Sequence, residues 1–393
     1  MQPKSLELQE MKDVVIKEAT TRKAMNDFIA LPRKIYAGNS CYVPDLDIDV
    51  RNTFDPMKNA GLEHSDIVPF VAYDVEGNVV GRIAGIINHK ANEKWQTRCV
   101  RFSMIEFIDD EKVSQALIDA VAEWGCERGM TQIQGPMGIS DFDKEGMLVE
   151  DFDLCGSMIT IYNPPYYPQH MERLGFEKEV DWVQIQVPVP TEVPPLFNRI
   201  ATRSLDMLGL KLRKVTRKEL TKGGYAQHIF ELLNRAYSPL FGFTELSKRQ
   251  VEDFSKTYIP LVDPRFISAV EDKKGNLVGI AITMNSLNKA LQKSRGRLFP
   301  FGWFHLLRSL KWKHEDKVEL MLIAVHPDYQ GKGVNAAFFA DLIPVYNSCG
   351  ITWAETGPQL EDNIRELSQW RILGPKYVKR RRCYTRKIIR GQE

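Results

Sequence analysis

The hydrophobic pattern is most informative between residues 318 and 339, which read V-E-L-M-L-I-A-V-H-P-D-Y-Q-G-K-G-V-N-A-A-F-F. The run 318–325 is too continuously apolar for a half-exposed strand, so it predicts a strand covered on both faces. His326-Pro327 ends this strand, because proline has no N–H for the sheet ladder. The two glycines of Q-G-K-G at 330–333 predict a tight turn. Apolar residues then recur at helical spacing, at Val334, Ala337, Phe338, Leu342 and Val345.

This order of strand, glycine turn and helix start predicts a site for an anion. The first amides of a helix have no partners within the helix, and the helix dipole makes that end positive. Gly331 and Gly333 let a ligand come close to the backbone, and Lys332 stands between them. The alternative is a strand–turn–helix whose glycines serve backbone geometry alone.

The remaining pattern predicts a mixed α/β protein. A helix capped by Thr20 or Thr21 is expected to run to Tyr36, and Asp110 is expected to cap another that ends at Gly129. The sequence N-P-P-Y-Y at 163–167 is interpreted as irregular. Further strands in the first half are predicted at 12–18, 69–73, 79–88, 99–108, 130–134 and 182–187.

The second half of the chain repeats the first. Three short sequences recur in the same order: G-N-[VL]-V-G at 77–81 and 275–279, G-x-T before G-P at 135–136 and 357–358, and L-G at 174–175 and 373–374. Recurrence in matching strand and turn contexts indicates a tandem duplication. We predict a first domain at 1–190, a connector and helix at 191–210, and a second domain at 211–393.

The repeat also supplies a control for the anion site. Where the second half has its glycine turn, the first half has I-D-D-E at 108–111. These carboxylates would cap the helix themselves and repel an anion. Only the second domain is therefore expected to hold one.

Composition narrows the class of protein only a little. With 393 residues, 43% hydrophobic and 26% charged, the chain is typical of a globular protein. Its net charge of +2 provides no overall field that favours nucleic acid or a membrane. We expect no signal peptide and no membrane span, and the six scattered cysteines predict reduced thiols in a cytoplasmic protein. The seven histidines lack metal-ligand spacing, so no metal site is predicted.

The motif V-x-P-x-Y-Q-G-K-G-V resembles the acyl-CoA signature of the GNAT N-acyltransferase superfamily, Gln/Arg-x-x-Gly-x-Gly/Ala. Gln330 and Gly333 fill its first and fourth places, while Asn335 stands where the family has Gly or Ala. The resemblance implies two tandem GNAT-like domains, the first degenerate, with one acyl-CoA as co-substrate. It implies that the residues holding the pyrophosphate are Gln330, Gly331, Lys332, Gly333, Val334 and Asn335.

The resemblance also implies where the reaction takes place. In GNAT proteins the pantetheine arm lies between two parallel strands that splay apart, which here are 318–325 and 351–356. A backbone N–H near Val325 would polarise the thioester carbonyl. The amine attacks directly, and a carboxylate takes its proton. Glu319 and Glu355 are the candidates, and the alternative is that each is merely paired with a basic neighbour.

Two further family positions bear on this chemistry. Asn363 matches the asparagine that opens the last helix and contacts the pantetheine arm, although a plain helix cap would explain it equally well. Trp370 stands where the family often has a tyrosine that protonates the departing thiolate. Since an indole N–H cannot act as that acid, Tyr384, Tyr377 or water would substitute, or the chemistry has been lost.

Two basic segments each have two interpretations. The insertion 287–314 has seven Lys and Arg, no acidic residue and the aromatic sequence L-F-P-F-G-W-F at 298–304. It would be a lid over the acceptor site or a surface for an anionic or lipid-like acceptor. The alternative is an amphipathic helix packed against the other domain with its basic face in water, which is favoured because aromatics at helical spacing usually lie in a core. The run K-R-R-R at 379–382 would bind nucleic acid or, as favoured, form a solvated strand edge.

The sequence thus predicts an acyl-CoA-dependent N-acetyltransferase acting on a small-molecule or peptide amine, with no nucleic-acid partner. A monomer or homodimer is expected. The E-D-N at 361–363 and the F-I-x-L-P-x-x-I-Y opening at 28–36 also resemble a group of uncharacterised bacterial tandem-GNAT proteins. The alternatives are an inactive CoA-binding sensor, an aminoacyl-tRNA-dependent transferase and a long-chain acyltransferase. The intact glycine turn counts against the tRNA-dependent class, which does not depend on a CoA pyrophosphate loop.

Overall fold

The computed structural model describes residues 14–312 and 314–389. The chain divides into two compact units, each described here by itself. Unit 1 comprises residues 1–181, 295–297 and 380–393, and unit 2 comprises residues 182–294 and 298–379. The sequence-based division at residue 190, with all of 211–393 in the second domain, differs from this one, because the C-terminal residues join unit 1.

Unit 1 contains five α-helices, among the described residues, and a mixed sheet. Its strands are β1 (Val15–Glu18), β2 (Ser65–Tyr73), β3 (Val79–Asn88), β4 (Cys99–Phe107), β5 (Gln132–Gly135) and β6 (Met147–Leu148). Its helices are α1 (Arg22–Ile35), α2 (Asp47–Thr53), α3 (His89–Trp95), α4 (Glu111–Glu127) and α5 (Tyr166–Arg173).

Local signals in the sequence explain the two long helices of unit 1. The Thr21 side chain caps α1 by accepting from the backbone N–H of Ala24 at 3.1 Å. Asp110 caps α4 in the same way, through the N–H of Lys112 at 2.8 Å. The predicted apolar stripe of α4 is buried against the sheet, at Val113, Leu117, Val121 and Trp124.

Unit 2 repeats this plan and adds an insertion. Its helices are α6 (Pro195–Leu208), α7 (Arg217–Lys222), α8 (Tyr225–Tyr237), α9 (Lys248–Tyr258), α10 (Asn288–Ser294), α11 (Gly302–Lys311), α12 (Asn335–Ser348) and α13 (Ile364–Ser368). Two strands, β7 (Glu177–Pro188) and β14 (Lys376–Lys387), run across the division between the units. The other strands of unit 2 are β8 (Lys211–Arg213), β9 (Ile267–Glu271), β10 (Leu277–Asn285), β11 (Lys317–Val325), β12 (Trp353–Thr356) and β13 (Gln359–Leu360).

The sheets of the two units have matching orders. In unit 1 the order is β1-β2-β3-β4-β5-β14, and in unit 2 it is β8-β9-β10-β11-β12-β7. Each contains antiparallel neighbours and one parallel pair, β4 with β5 in unit 1 and β11 with β12 in unit 2. The predicted mixed α/β fold and both hairpins are confirmed.

The core of unit 2 lies on one face of its sheet, under α6 and α12. Ala337, Phe338 and Leu342 of α12 are buried there, as the helical spacing predicted. Phe197 of α6 stacks on Phe339, with ring centroids 4.9 Å apart. This packing holds the first turn of α12, and with it the glycine turn, against the end of β11.

Three local predictions were wrong. Residues 163–167 are not wholly irregular, because α5 begins at Tyr166. The basic run 379–382 is not a solvated edge, because β14 is paired inside the sheet and Lys379 and Arg381 are fully buried. Arg382 instead donates two hydrogen bonds to the buried carboxylate of Asp181, at 2.8 and 3.0 Å.

The third wrong prediction concerns the insertion. Its aromatic residues were expected to lie in a core, but they are exposed, at Phe299, Phe301, Trp303 and Phe304. Separately, no helix in the described portion of the chain has both the length and the hydropathy needed to cross a bilayer.

Candidate functional site

Strands β11 and β12 part in the middle of β11. They pair in parallel from Lys317 opposite Trp353 as far as Leu320 opposite Thr356. One more bond follows, from the N–H of Gly357 to the carbonyl of Leu320 at 3.1 Å. Strand β12 ends there, whereas β11 continues to residue 325. Among the residues that the structure describes, the far half of β11 therefore has no strand partner on the side that β12 leaves.

The backbone of β11 presents polar groups to this opening. The N–H of His326 donates to the carbonyl of Val278 at 2.8 Å, and bonding in an antiparallel ladder alternates from residue to residue. Ile323 and Val325 therefore direct their N–H and C=O groups away from β10. Their carbonyls accept from the Tyr237 hydroxyl and the Gln330 side-chain amide respectively, each at 3.0 Å. The N–H groups of Ile323 and Val325 consequently face the opening, as the prediction for Val325 requires.

Beyond β11 lies the glycine turn. A short 3-10 helix, Pro327–Tyr329, leads into it, and Gly331 and Gly333 have φ angles of 72° and 82°. Four backbone N–H groups at this turn have no main-chain acceptor within the described residues, namely those of Gly331, Gly333, Val334 and Asn335. They lie at the N-terminal, positive end of a helix of 14 residues. This arrangement suits an anion.

The side chains of the turn divide into those that stabilise it and those that face solvent. Val334 is buried in the core of unit 2, so only its backbone could reach a ligand. The Asn335 amide donates to Gln369 at 2.7 Å, and Gln330 is engaged with Val325. Lys332 is exposed, with its Nζ 5.8 Å from the centroid of the Tyr329 ring. Of these side chains, Lys332 is the one placed to meet an anion.

Sequence reasoning missed two residues of α8 that lie at this site. Tyr237 donates to β11, as described above, and the guanidinium of Arg235 lies 3.5 Å from Nε2 of His326. Arg235 is exposed and adds a second cation beside the end of β11. Arg235 is 91 positions from His326 in the sequence, and Tyr237 is 86 positions from Ile323. No local motif marks either residue.

Below the point where the strands part lies a buried cluster of four charges, which we call the charge cluster: Lys317, Glu319, Glu355 and Lys379. The ammonium of Lys317 lies 3.3 Å from Glu319 and 3.7 Å from Glu355. Lys379 donates to Glu355 at 2.6 Å. The two cations balance the two anions, so the cluster is neutral as a whole.

The surroundings of Glu355 set its protonation. Burial opposes its charge, but Lys379 and Lys317 outweigh burial, and hydrogen bonds from Lys379 and Gln186 add to their effect, so the pKa of Glu355 is lowered. Conversely, burial opposes the charge of Lys317, but Glu319 and Glu355 outweigh it and raise the pKa of Lys317. Glu355 also accepts from Gln184 at 3.0 Å. A carboxylate held this firmly is a weak base.

The structure does not gather all of the predicted catalytic residues into one unit. Glu319 and Glu355 are cross-strand neighbours in unit 2, whereas Tyr384 lies in unit 1, in the hydrophobic core of that unit. The Asn363 side chain accepts from the N–H of Glu366 at 3.3 Å and so caps α13, as the simpler interpretation predicted. Trp370 is buried edge-on against Phe339, with ring centroids 5.3 Å apart.

Unit 1 contains a parting of strands that corresponds to the one in unit 2. There β4 and β5 pair as far as Arg101 opposite Gln134, and the N–H of Met137 donates to the carbonyl of Phe102 at 2.9 Å. Arg101 and Gln134 thus stand where unit 2 has Glu319 and Glu355. No glycine turn follows, since Asp110 caps α4.

A buried polar network in unit 1 was also missed by sequence reasoning. Glu106 accepts from the hydroxyls of Tyr36 at 2.6 Å and Tyr167 at 2.9 Å, and Arg82 lies 3.7 Å from it. Burial outweighs Arg82 and these hydrogen bonds, and raises the pKa of Glu106 to about 7. The available signal was the pair of sequence elements I-Y at 35–36 and P-P-Y-Y at 164–167, which supply both tyrosines.

Comparison with solved structures identifies the fold as two GNAT folds in tandem. A tandem GNAT protein from the clavulanic acid biosynthesis pathway aligns with 97% of this chain and 100% of its own, at a TM-score of 0.57 and 13% identity. A GCN5-related N-acetyltransferase from Sphaerobacter thermophilus aligns with 97% of each chain, at a TM-score of 0.52 and 11% identity. The predicted tandem GNAT architecture is therefore confirmed.

Two curated proteins are similar in sequence over most of the chain. A bacterial ceramide synthase from Caulobacter vibrioides is 27% identical over 319 residues, which cover 81% of this chain and 82% of that protein. Protein YghO from Escherichia coli is 26% identical over 385 residues, covering 95% of each. No family model matches the chain.

The two glycines of the turn are expected to differ in what they contribute to stability. At Gly331 a Cβ would meet no atom within 4 Å, but at Gly333 it would lie 2.5 Å from Oγ of Ser204 on α6. Gly331→Ala should cost only the left-handed backbone penalty, roughly 1–2 kcal/mol. Gly333→Ala should cost at least about 1 kcal/mol more, because the side chains of Ser204 and Ile200 on α6, the latter 2.8 Å from the new Cβ, must both shift. Urea unfolding of the two variants measures the difference, and equal losses would contradict the close packing of the turn on α6.

Glu355 should make the stability of the protein depend on acid pH. Its pKa is lower in the folded chain than the ordinary 4.5, so the stabilisation from this group is present above pH 4.5 and lost as the pH falls through the folded pKa. Glu355→Gln should flatten this acid limb of the melting temperature. It should also destabilise the protein at neutral pH by about 3–5 kcal/mol, because two buried lysines lose a partner.

The matched control is Glu192→Gln, at an exposed glutamate of the same unit. It should leave both the acid limb and the neutral stability unchanged. An acid limb that Glu355→Gln leaves as steep as in the wild type would show that the charge cluster does not couple folding to protonation.

Proposed function

We propose that the protein is an acyl-CoA-dependent N-acyltransferase, in which unit 2 binds the thioester and transfers its acyl group to a primary amine. The observation that carries the proposal is a series of available backbone N–H groups along β11 and the glycine turn that follows it. An opening between parallel strands leads past two N–H groups that face it to a glycine turn, where four amides have no main-chain acceptor among the described residues. This series offers hydrogen-bond donors to a thioester at one end and an anion site for a pyrophosphate at the other.

The turn would hold the phosphates chiefly through its backbone. The amides of Gly331 to Asn335 would bond to phosphate oxygens, while Lys332 and Arg235 would add charge from the solvent side. Gln330 would act indirectly, since its side chain holds the carbonyl of Val325. Asn363 caps α13 and could still reach the pantetheine arm through its remaining amide group.

The transfer needs few protein groups. The amine nitrogen forms a bond to the thioester carbon, the carbonyl oxygen gains negative charge, and the N–H of Val325 or Ile323 stabilises it. The C–S bond then breaks, and the thiolate leaves. Glu319 would take the proton that the amine releases. Trp370 cannot protonate the thiolate, and with Tyr384 in the core of unit 1 and Tyr377 exposed, water would supply that proton.

The acyl group and the acceptor are the open part of the proposal. An acetyl group and a small-molecule or peptide amine were the first expectation. The similarity to a ceramide synthase favours a second candidate, because a ceramide is a fatty-acid amide and its formation is an N-acylation.

We also propose that the protein works in the cytoplasm, because acyl-CoA is available there. In that compartment its six free cysteines would stay reduced.

Binding of acyl-CoA should depend on Lys332. Lys332→Glu replaces an exposed cation at the turn with an anion and should weaken the binding of acetyl-CoA or palmitoyl-CoA at least about tenfold. Calorimetric titration measures the effect. The control is Lys218→Glu, which makes the same charge change at an exposed position on α7 and should bind like the wild type. A wild type that binds neither thioester would exclude the acyl-CoA class altogether.

Turnover should depend on Glu319. Glu319→Gln removes the proposed base and should lower kcat with an amine acceptor about a hundredfold or more, with the Kd of acyl-CoA unchanged and partial recovery at alkaline pH. Glu319→Asp, which keeps the charge opposite Lys317, should retain more activity. The control Glu192→Gln changes an exposed glutamate of the same unit and should leave kcat unchanged.

Thiol release is followed with acyl-CoAs of increasing chain length, each with a short amine and with a sphingoid base. The chain-length preference decides between the acetyl and the fatty-acyl candidates. Saturable acyl-CoA binding without turnover on any acceptor of this panel would instead support a CoA sensor that lacks catalysis.

A further inference from the structure

Helix α11 turns its two aromatic side chains outward. Its buried residues are Gly302 and Ser309, which stand seven positions apart and therefore lie on one side of the helix. In contrast, Trp303 is 47% exposed and Phe304 is 45% exposed. A helix that serves a protein core does the reverse, burying its large residues and exposing its small ones. The packing of α11 thus leaves an apolar face without a partner among the described residues.

The residues that flank α11 extend this face. Phe299, Phe301 and Trp312 are 79%, 71% and 67% exposed. Together with Trp303 and Phe304 they account for five of the eight exposed aromatic side chains in the described part of the chain. We call these five residues the aromatic face. Single exposed apolar residues need no explanation, but a concentrated group marks an interaction surface.

The charges within the insertion that carries the aromatic face have one sign. Residues 287–314 include seven Lys and Arg and no Asp or Glu. Arg308 and Lys311 are exposed and follow Phe304 by four and seven positions, so they share its side of α11. Aromatic rings next to long basic side chains are the combination found in helices that lie in the interface of an anionic bilayer.

We propose that the aromatic face binds peripherally to a membrane that contains anionic phospholipid. The rings would enter the headgroup region, where an amphipathic aromatic side chain is most favourable. Arg308 and Lys311 would extend their aliphatic stems along the rings and place their charges at the lipid phosphates. This inference does not depend on the acyl transfer proposed above, because the binding is measured without donor or acceptor.

Two other occupants fit the surface less well. A second copy of the chain would bring Arg308 and Lys311 against the same residues of its partner in a two-fold contact, and like charges oppose such a contact. A fatty-acyl chain of the donor would need an enclosed tunnel, whereas rings with this much exposure form an open surface.

The test is co-sedimentation of the full-length protein with vesicles of phosphatidylcholine alone and of phosphatidylcholine mixed equally with phosphatidylglycerol. The wild type should bind the anionic vesicles at least about tenfold more tightly than the neutral ones, and added salt should reduce this difference. Phe301→Ser combined with Phe304→Ser should weaken binding to anionic vesicles at least about tenfold. Arg308→Gln combined with Lys311→Gln should remove most of the preference for anionic lipid.

The matched control is Trp95→Ser combined with Tyr377→Ser, which removes two exposed aromatic side chains elsewhere. It should bind like the wild type, and circular dichroism should show that all variants are folded. Quenching of tryptophan fluorescence by brominated lipid should be strong in the wild type and should fall in Trp303→Phe combined with Trp312→Phe.

Three results would overturn the proposal. The first is a wild type that does not sediment with anionic vesicles. The second is binding that the double serine variant of the aromatic face leaves unchanged. The third is self-association in sedimentation velocity that this variant abolishes while vesicles bind neither protein, because the aromatic face would then join two copies of the chain.

Discussion

The charge cluster is the constraint on which the candidate site depends. Glu319 and Glu355 are cross-strand neighbours one step before β11 and β12 part, and either carboxylate alone would be costly to bury. Lys317 bridges both, and Lys379 and Gln186 complete the partners of Glu355. The strands are thus tied together immediately below the opening. The ladder with β10 sets the direction of the N–H groups of Ile323 and Val325, and the end of β12 leaves these groups facing the opening.

The duplicated architecture separates what the fold requires from what the site requires. Unit 1 retains the parting of two parallel strands, including the extra hydrogen bond to the carbonyl of Phe102. At the positions of Glu319 and Glu355, unit 1 has Arg101 and Gln134. Its next helix, α4, is capped by Asp110. The parting of the strands therefore survives without the glycine turn, so the GNAT fold by itself does not supply the candidate anion site. The glycine turn and the charge cluster belong to unit 2 alone.

Local structure was predictable from the sequence, and long-range burial was not. The caps at Thr21 and Asp110 and the glycine turn follow from short-range hydrogen bonding and backbone freedom, which the sequence displays directly. Lys379 was read as exposed because its buried partner Glu355 is twenty-four residues away. The aromatics near Phe304 were assigned to a core because helical spacing shows that a helix has an apolar side without showing what covers it. The sequence motif predicted the glycine turn of the candidate site, but it did not predict that Arg235 and Tyr237 of α8 lie beside it.

The insertion and the candidate site are joined by a short stretch of chain. Trp312 on the aromatic face is five residues before Lys317, where β11 and the charge cluster begin. Because an extended chain spans at most about 3.6 Å per residue, those two residues lie within roughly 18 Å of each other. If the aromatic face lies in a bilayer surface, the start of β11 is held close to that surface. A water-soluble thioester and an amine carried by a lipid could then meet at unit 2 without the lipid leaving the membrane. If the protein transfers a fatty-acyl group, membrane binding would thus bring the lipid amine that accepts this group to unit 2.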